Sequence, residues 1–152
     1  MPLRDPNEFY RHTAARTTLI TRTANGGSSS IVAERRAGKT WLLTYLQLIA
    51  PISNKLGSAY RIGYVSATHP QNKTLVGFVR SVLEELKVQQ SSPDPCLQPL
   101  SRLSRAVRGL KQLGLRAVLC IDEFEVSIIS KSSMLTFLRD YVRWHKMTVS
   151  YW

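Results

Sequence analysis

The chain is 152 residues long, enough for one compact domain and too short for two of ordinary size. Hydrophobic residues make up 43% and charged residues 20%, which excludes a disordered or fibrous chain, and no apolar run reaches the roughly 18 residues of a membrane-spanning helix. The formal net charge of +11 favours acidic partners, nucleic acid above all, but a count of this kind bears on non-specific association rather than on fold.

The N-terminus, Met1-Pro2-Leu3-Arg4-Asp5-Pro6-Asn7-Glu8, lacks the apolar core of a secretion signal, so a cytoplasmic location is expected, with no membrane partner. Residues 1–27 form a polar lead-in. Within it Thr13 to Thr23 predicts a short helix, and Asn25-Gly26-Gly27-Ser28 is a turn cluster that delivers the chain into a core of residues 28–152. Cys96 and Cys120 are the only cysteines and show neither metal-ligand spacing nor a disulfide framework. His12, His69 and His145 are scattered and read as surface or satisfied histidines.

Ser29 to Val32 is a β-prone segment that runs into the loop Ala33-Glu34-Arg35-Arg36-Ala37-Gly38-Lys39-Thr40 and then directly into the helix-prone run Trp41-Leu42-Leu43-Thr44-Tyr45-Leu46. Strand, loop and helix in this order are the context in which a phosphate-loop match is believed. Backbone N–H groups of such a loop turn inward around phosphates, and the positive end of the following helix faces the same anion. Gly38 permits close backbone approach, Lys39 is placed to reach the β- and γ-phosphates, and the Thr40 hydroxyl is placed to coordinate Mg²⁺. Alanine at position 33 departs from the usual spacing, which has glycine there, and carries an expected strain of about 1 kcal/mol. Taken by itself, Gly-Lys-Thr is also compatible with a chance tripeptide at a helix start.

Thr40 to Ile49 continues the helix until Pro51 stops it. A connection at 54–58 leads to a second strand, Tyr60 to Ser66, whose following loop, Ala67-Thr68-His69-Pro70-Gln71, falls at the carboxyl edge of the sheet. Leu75, Phe78, Val79, Val82, Leu83 and Leu86 then carry the clearest amphipathic helical spacing in the chain. After a polar loop at 88–98, a helix over about 99–113 sets Arg102, Arg105, Arg108 and Lys111 against Leu100, Leu103, Val107 and Leu110. Two readings of that basic face stay open: a solvated helix surface, or a contact with a phosphate backbone.

Arg116-Ala117-Val118-Leu119-Cys120-Ile121 is uninterrupted by a polar residue between its ends and predicts a strand buried on both faces of a parallel sheet. Asp122 and Glu123 stand at its carboxyl end, where ligands bind in open α/β sheets. Asp122 is placed to hold a metal ion, directly or through water, and Glu123 to orient and deprotonate an attacking water. The rival reading is a strand that ends in a solvated acidic turn. Met134, Phe137, Leu138, Tyr141, Val142 and His145 repeat the helical spacing, and Met147 to Trp152 predicts a fourth strand. Strands alternating with helices define an α/β fold, a three-layer α/β/α arrangement around a parallel sheet. Phe78, Phe137 and Tyr141 are expected in its core.

With these segments in view, the sequence resembles the P-loop ATPases of the AAA-like and STAND-type groups, many of them bacterial. Asn7-Glu8-Phe9-Tyr10, then Ala33 to Thr40, then Asp122-Glu123-Phe124-Glu125 stand where that family has an Asn-Glu-Phe segment, its Walker A loop and its Walker B strand end. The resemblance implies ATP and Mg²⁺ as ligands, nucleotide contacts from Ala33 through Trp41, metal contacts from Thr40 and Asp122, and Lys39 and Glu123 as the catalytic pair. Arg11-His12-Thr13 does not preserve the family's Gly-Arg-Glu segment. Relatives continue beyond the fourth strand into a fifth strand, a γ-phosphate-sensing arginine and a helical lid. Against that pattern the chain is expected to be incomplete at its C-terminus, with its fourth strand at an exposed edge unless a partner or second copy covers it. A second protomer could supply the arginine in trans. The alternative is a non-catalytic interaction or nucleic-acid-binding module that keeps the scaffold.

Overall fold

The computed structural model describes residues 13–27, 29–31, 37–49, 56–89, 98–123 and 148–151. Among them, strands β1 (Ser29–Ser30), β2 (Tyr60–Ser66), β3 (Arg116–Asp122) and β4 (Thr148–Tyr151) form one all-parallel sheet in the order β1-β4-β3-β2. Helices α1 (Thr13–Ala24), α2 (Lys39–Thr44), α3 (Leu75–Glu85) and α4 (Pro99–Gln112) lie on its two faces.

Side chains alternate across a strand, and β3 distributes itself accordingly. Val118 and Cys120 join Leu19 of α1, Leu42 and Leu43 of α2, and Tyr45 and Leu46 just beyond it. Ala117, Leu119 and Ile121 join Phe78, Val79, Val82 and Leu83 of α3 with Leu103, Val107 and Leu110 of α4. Three layers result. Leu119 and Ile121 are fully buried, each stabilising the fold by about 1.5–3 kcal/mol relative to exposure, and such side chains fix β3 at the centre. Phe78 is a core residue as expected. The expected helix at 134–145, with Phe137 and Tyr141, lies outside the described residues.

The position of β4 corrects the sequence-based expectation. It is not an edge strand: it pairs with β1 through Ser29↔Ser150 and Ser30↔Tyr151, and with β3 through Val118↔Thr148, Leu119↔Val149 and Cys120↔Ser150. A strand in that slot satisfies both rows of its backbone groups, which an edge position would leave half unpaired. β1 and β2 are the outer strands of the described sheet. On the β2 side, Tyr64 N–H donates to Glu85 Oε2 of α3 at 3.4 Å, and the same oxygen accepts Gln47 Nε2 at 3.1 Å.

The helix after the phosphate loop also differs in detail. It begins at Lys39, is α-helical to Thr44, and continues over Tyr45–Ile49 as a π-helical turn. Periodicity carries no signal for such a turn, because Leu42, Leu43 and Leu46 keep an ordinary helical face.

α3 starts where Thr74 accepts a hydrogen bond from Gly77 N–H at 3.1 Å, a side-chain N-cap. Gly77 also packs against the preceding 3₁₀ turn, Pro70–Lys73, so closely that a Cβ there would lie 1.8 Å from the Gln71 carbonyl oxygen. Backbone, not a flexible side chain, would have to move. Gly77→Ala should therefore destabilise the fold by about 1–3 kcal/mol in a denaturant melt. Gly109→Ala in α4, where a Cβ meets nothing within 4 Å, should be neutral or stabilise by up to about 1 kcal/mol.

Candidate functional site

The carboxyl end of β3 and the start of α2 meet at one edge of the sheet. Gly38, the residue before α2, adopts φ 85°, ψ 21°, a left-handed conformation that glycine reaches without the steric penalty of a side chain. This bend points the chain into α2 with Lys39 and Thr40 in its first turn. Thr40 Oγ1 then donates to Asp122 Oδ2 at 2.8 Å, joining residues 82 apart in sequence.

Asp122 is buried, and its carboxylate is nonetheless fully engaged. Oδ2 accepts a second hydroxyl, Tyr64 Oη, at 2.7 Å, and Oδ1 accepts Glu123 N–H at 3.0 Å. Hydrogen bonds to a charged group of this kind contribute about 1.5–3 kcal/mol each and offset the cost of holding a carboxylate away from water. The Tyr64 phenol is pushed well above its ordinary pKa, first by burial and then by its hydrogen bond to Asp122 and the negative charges of Asp122 and Glu123. It stays protonated and donates.

Glu123 directly follows the strand with φ 56°, a left-handed conformation that costs a non-glycine residue about 1 kcal/mol or more and that concentrates at functional sites. Its exposed carboxylate turns toward the loop after β2, where Oε2 accepts Thr68 Oγ1 at 2.5 Å and Ser66 Oγ at 3.2 Å. That loop is itself anchored. Ala67 N–H donates to Asp122 O at 2.9 Å, and buried Asn72 donates to Ser66 O at 2.8 Å while accepting Ser81 Oγ of α3 at 2.6 Å.

Of the residues singled out from the sequence, the structure brings Gly38, Lys39, Thr40, Asp122 and Glu123 to one edge, with Ala37 and exposed Trp41 beside them. Ala33, Glu34, Arg35 and Arg36 lie outside the described residues. Tyr64, Ser66, Thr68 and Asn72 belong to the same cluster and were not singled out. The one available signal for them was position, since the loop after β2 was expected at this edge. Among the described residues no group of three or more His, Cys, Asp or Glu side chains could cage a metal ion, and no helix is long and apolar enough to cross a membrane.

A three-layer parallel sheet with a Gly-Lys-Thr loop facing an acidic strand end defines the P-loop class. The sequence model of the AAA domain matches residues 22–150, most of the chain, and the chain belongs to that family. In fold it is similar to the Aeropyrum pernix ORC2 protein, solved as ADPNP and ADP complexes, with a TM-score of 0.63 at 15% identity. That likeness covers 91% of this chain and 39% of the other, so this chain spans about two fifths of that protein's length. No curated protein matches the sequence.

Cys120, beneath the site, is fully buried, and burial pushes its thiol up to about 12. It should resist alkylation at pH 8 in the native protein and react once denaturant is added, read by peptide mass spectrometry. The sign of the pH dependence follows: an ionised thiolate is favoured only in the unfolded chain. The stability it contributes is complete below about pH 8.5 and is lost as pH rises toward the folded value.

Proposed function

We propose that this chain is the nucleotide-binding core of an AAA ATPase, with ATP and Mg²⁺ as ligands and hydrolysis to ADP and phosphate as the reaction of the assembled site. The observation that carries this reading is the 2.8 Å contact between Thr40 Oγ1 and Asp122 Oδ2, with Lys39 and Glu123 adjacent in sequence to its two ends. The ORC2 protein of similar fold was solved as ADPNP and ADP complexes, which supports nucleotide binding as the reading. Residues 28–152 are taken as the core and 1–27 as the segment leading into it. Asn7-Glu8-Phe9 and Asp122-Glu123-Phe124-Glu125 favour a bacterial STAND-type member of the class.

The donor set suits the metal. Mg²⁺ takes hard oxygen ligands and retains waters, usually adding one or two protein groups and the phosphates, and a hydroxyl and a carboxylate lie side by side here. Thr40 and Asp122 would hold it, and once bound it would neutralise charge on the phosphates. Lys39 places an ammonium against the transferring phosphoryl group, and the bend at Gly38 lets backbone amides approach the same oxygens. Glu123, held beside the loop hydroxyls of Thr68 and Ser66, orients a water and takes its proton. An arginine from a second copy of the chain would supply a transition-state contact worth about 10³-fold or more, by analogy with arginine fingers.

The test is titration of a labelled, non-hydrolysable ATP analogue with Mg²⁺. Wild type should bind, and Lys39→Ala should bind at least about tenfold more weakly, through loss of a charge-assisted contact of about 1.5–3 kcal/mol. Matching curves, or no binding by wild type, would remove the reading. If turnover is measured, Glu123→Gln should abolish it and spare binding.

A second reading rests on α4, which leaves Arg105, Arg108 and Lys111 exposed opposite buried Leu103, Val107 and Leu110. That face fits a nucleic-acid backbone. Affinity for a short DNA duplex should then fall steeply between 50 and 200 mM salt, on the order of tenfold or more for a few phosphate contacts, and a flat response would exclude it.

A further inference from the structure

The contact between Tyr64 and Asp122 has no part in the mechanism above, yet at 2.7 Å it is as close as the contacts the Asp122 carboxylate makes with Thr40, at 2.8 Å, and with Glu123 N–H, at 3.0 Å. The partners differ in kind. Thr40 is a proposed metal ligand, so its oxygen must be shared when an ion arrives. The Glu123 amide engages the opposite oxygen, Oδ1. Among the described residues, Tyr64 is the donor that restrains Oδ2 from outside the nucleotide loop, by way of the neighbouring strand.

Its geometry is fixed at both ends. Tyr64 pairs in register with Cys120, as Ser66 pairs with Asp122, so the ring lies two residues back from the carboxylate along parallel strands. The ring packs against the buried cluster that contains Leu42, Leu43 and Leu46 of the segment following the phosphate loop. At its backbone, Tyr64 N–H reaches Glu85 Oε2, the oxygen that also accepts Gln47 Nε2 from the π-helical turn. A closed circuit therefore runs from Thr40 through Asp122, Tyr64, Glu85 and Gln47 back to the helical segment that carries Thr40 in its first turn. A carboxylate pinned this way keeps one oxygen presented toward the ion site when Thr40 turns to the metal.

We infer that Tyr64 is a positioning residue for the divalent cation: its phenol fixes the rotation of the Asp122 carboxylate and so sets how strongly Mg²⁺ strengthens nucleotide binding. The inference deepens the proposed nucleotide site and rests on it. Removing hydrogen-bond partners behind a metal-binding carboxylate commonly costs about 10–100-fold in metal affinity.

The test uses the full chain and the fluorescent ATP analogue, titrated once with Mg²⁺ and once with EDTA, for wild type and Tyr64→Phe. Phenylalanine keeps the ring and deletes only the hydroxyl. The ratio of the two affinities should fall about tenfold or more in the variant, while the affinity in EDTA is unchanged. Substituting Mn²⁺ and reading free ion by electron paramagnetic resonance should show the same weakening without reference to turnover. Tyr64→Leu, a shorter apolar filler, should lose the Mg²⁺ dependence equally. An unchanged ratio in Tyr64→Phe overturns the inference, and so does an equal loss with and without metal, which would mark a merely structural role. Absence of binding by wild type in both conditions overturns the nucleotide site itself, and the inference with it; binding with an unaltered ratio overturns the inference alone.

Discussion

One hydrogen bond, from the Thr40 hydroxyl to the Asp122 carboxylate, constrains the rest of the molecule. It requires the first turn of α2 and the last residue of β3 to reach the same edge of the sheet, although β2, α3 and α4 intervene in the chain. The all-parallel sheet makes this possible, because every strand then releases its carboxyl end on one side. The slot occupied by β4 sets the spacing: with β4 between β1 and β3, the ends of β1 and β3 stand two strand positions apart along that edge. The buried clusters on the two faces hold that spacing, α1 and α2 against Val118 and Cys120, α3 and α4 against Ala117, Leu119 and Ile121.

The acids at this edge are arranged unequally, and the inequality has chemical meaning. Among the described residues, buried Asp122 accepts three donors, Thr40 Oγ1, Tyr64 Oη and Glu123 N–H, which together fix the orientation of its carboxylate. Glu123 sits one residue further on, exposed, in a left-handed backbone conformation, its carboxylate accepting the hydroxyls of Ser66 and Thr68 at the end of β2. This difference fits the proposed roles, Asp122 toward the cation and Glu123 toward a water proton. Both properties follow from where β3 ends. The alternation that buries Asp122 on the α2 side stops there, and the next residue has no strand to bury it. The loop that meets Glu123 has its own anchor: buried Asn72 ties it to the Ser66 carbonyl and to Ser81 of α3.

Much of this was legible in the sequence wherever one strong local pattern decided the structure. The spacing from Leu75 to Leu86 gave α3, the apolar run from Ala117 to Ile121 gave β3, and the alternation of bases and leucines gave α4, each within a residue or two of its observed bounds. The Gly38-Lys39-Thr40 and Asp122-Glu123 segments were legible because their residue types are rare together and fall where a strand meets a helix or a strand ends. Membership of the AAA domain family agrees with the resemblance drawn from them. Strand order was not legible, because the pairing of β1 with β4 depends on contacts more than a hundred residues apart and leaves no local trace. Nor was Tyr64: an aromatic residue in a strand reads as core, and its ring does pack as core, so nothing in the sequence marks the hydroxyl at its tip. Ser66 and Thr68 escaped for a different reason: they are ordinary polar residues where a strand gives way to a loop, marked only by the expected position of that loop.

The account stands or falls on whether a triphosphate and its metal ion occupy the edge where Thr40 and Asp122 meet. A crystal structure of the chain grown with a non-hydrolysable ATP analogue and Mn²⁺ tests this most directly, because the anomalous signal locates the ion independently of the nucleotide density. The account predicts a peak at about 2.0–2.2 Å from Thr40 Oγ1, with Asp122 a direct or water-bridged neighbour and the phosphates against Gly38 and Lys39. Nucleotide bound elsewhere on the chain, with the Thr40 and Asp122 side chains still bonded to each other and no ion between them, would contradict it.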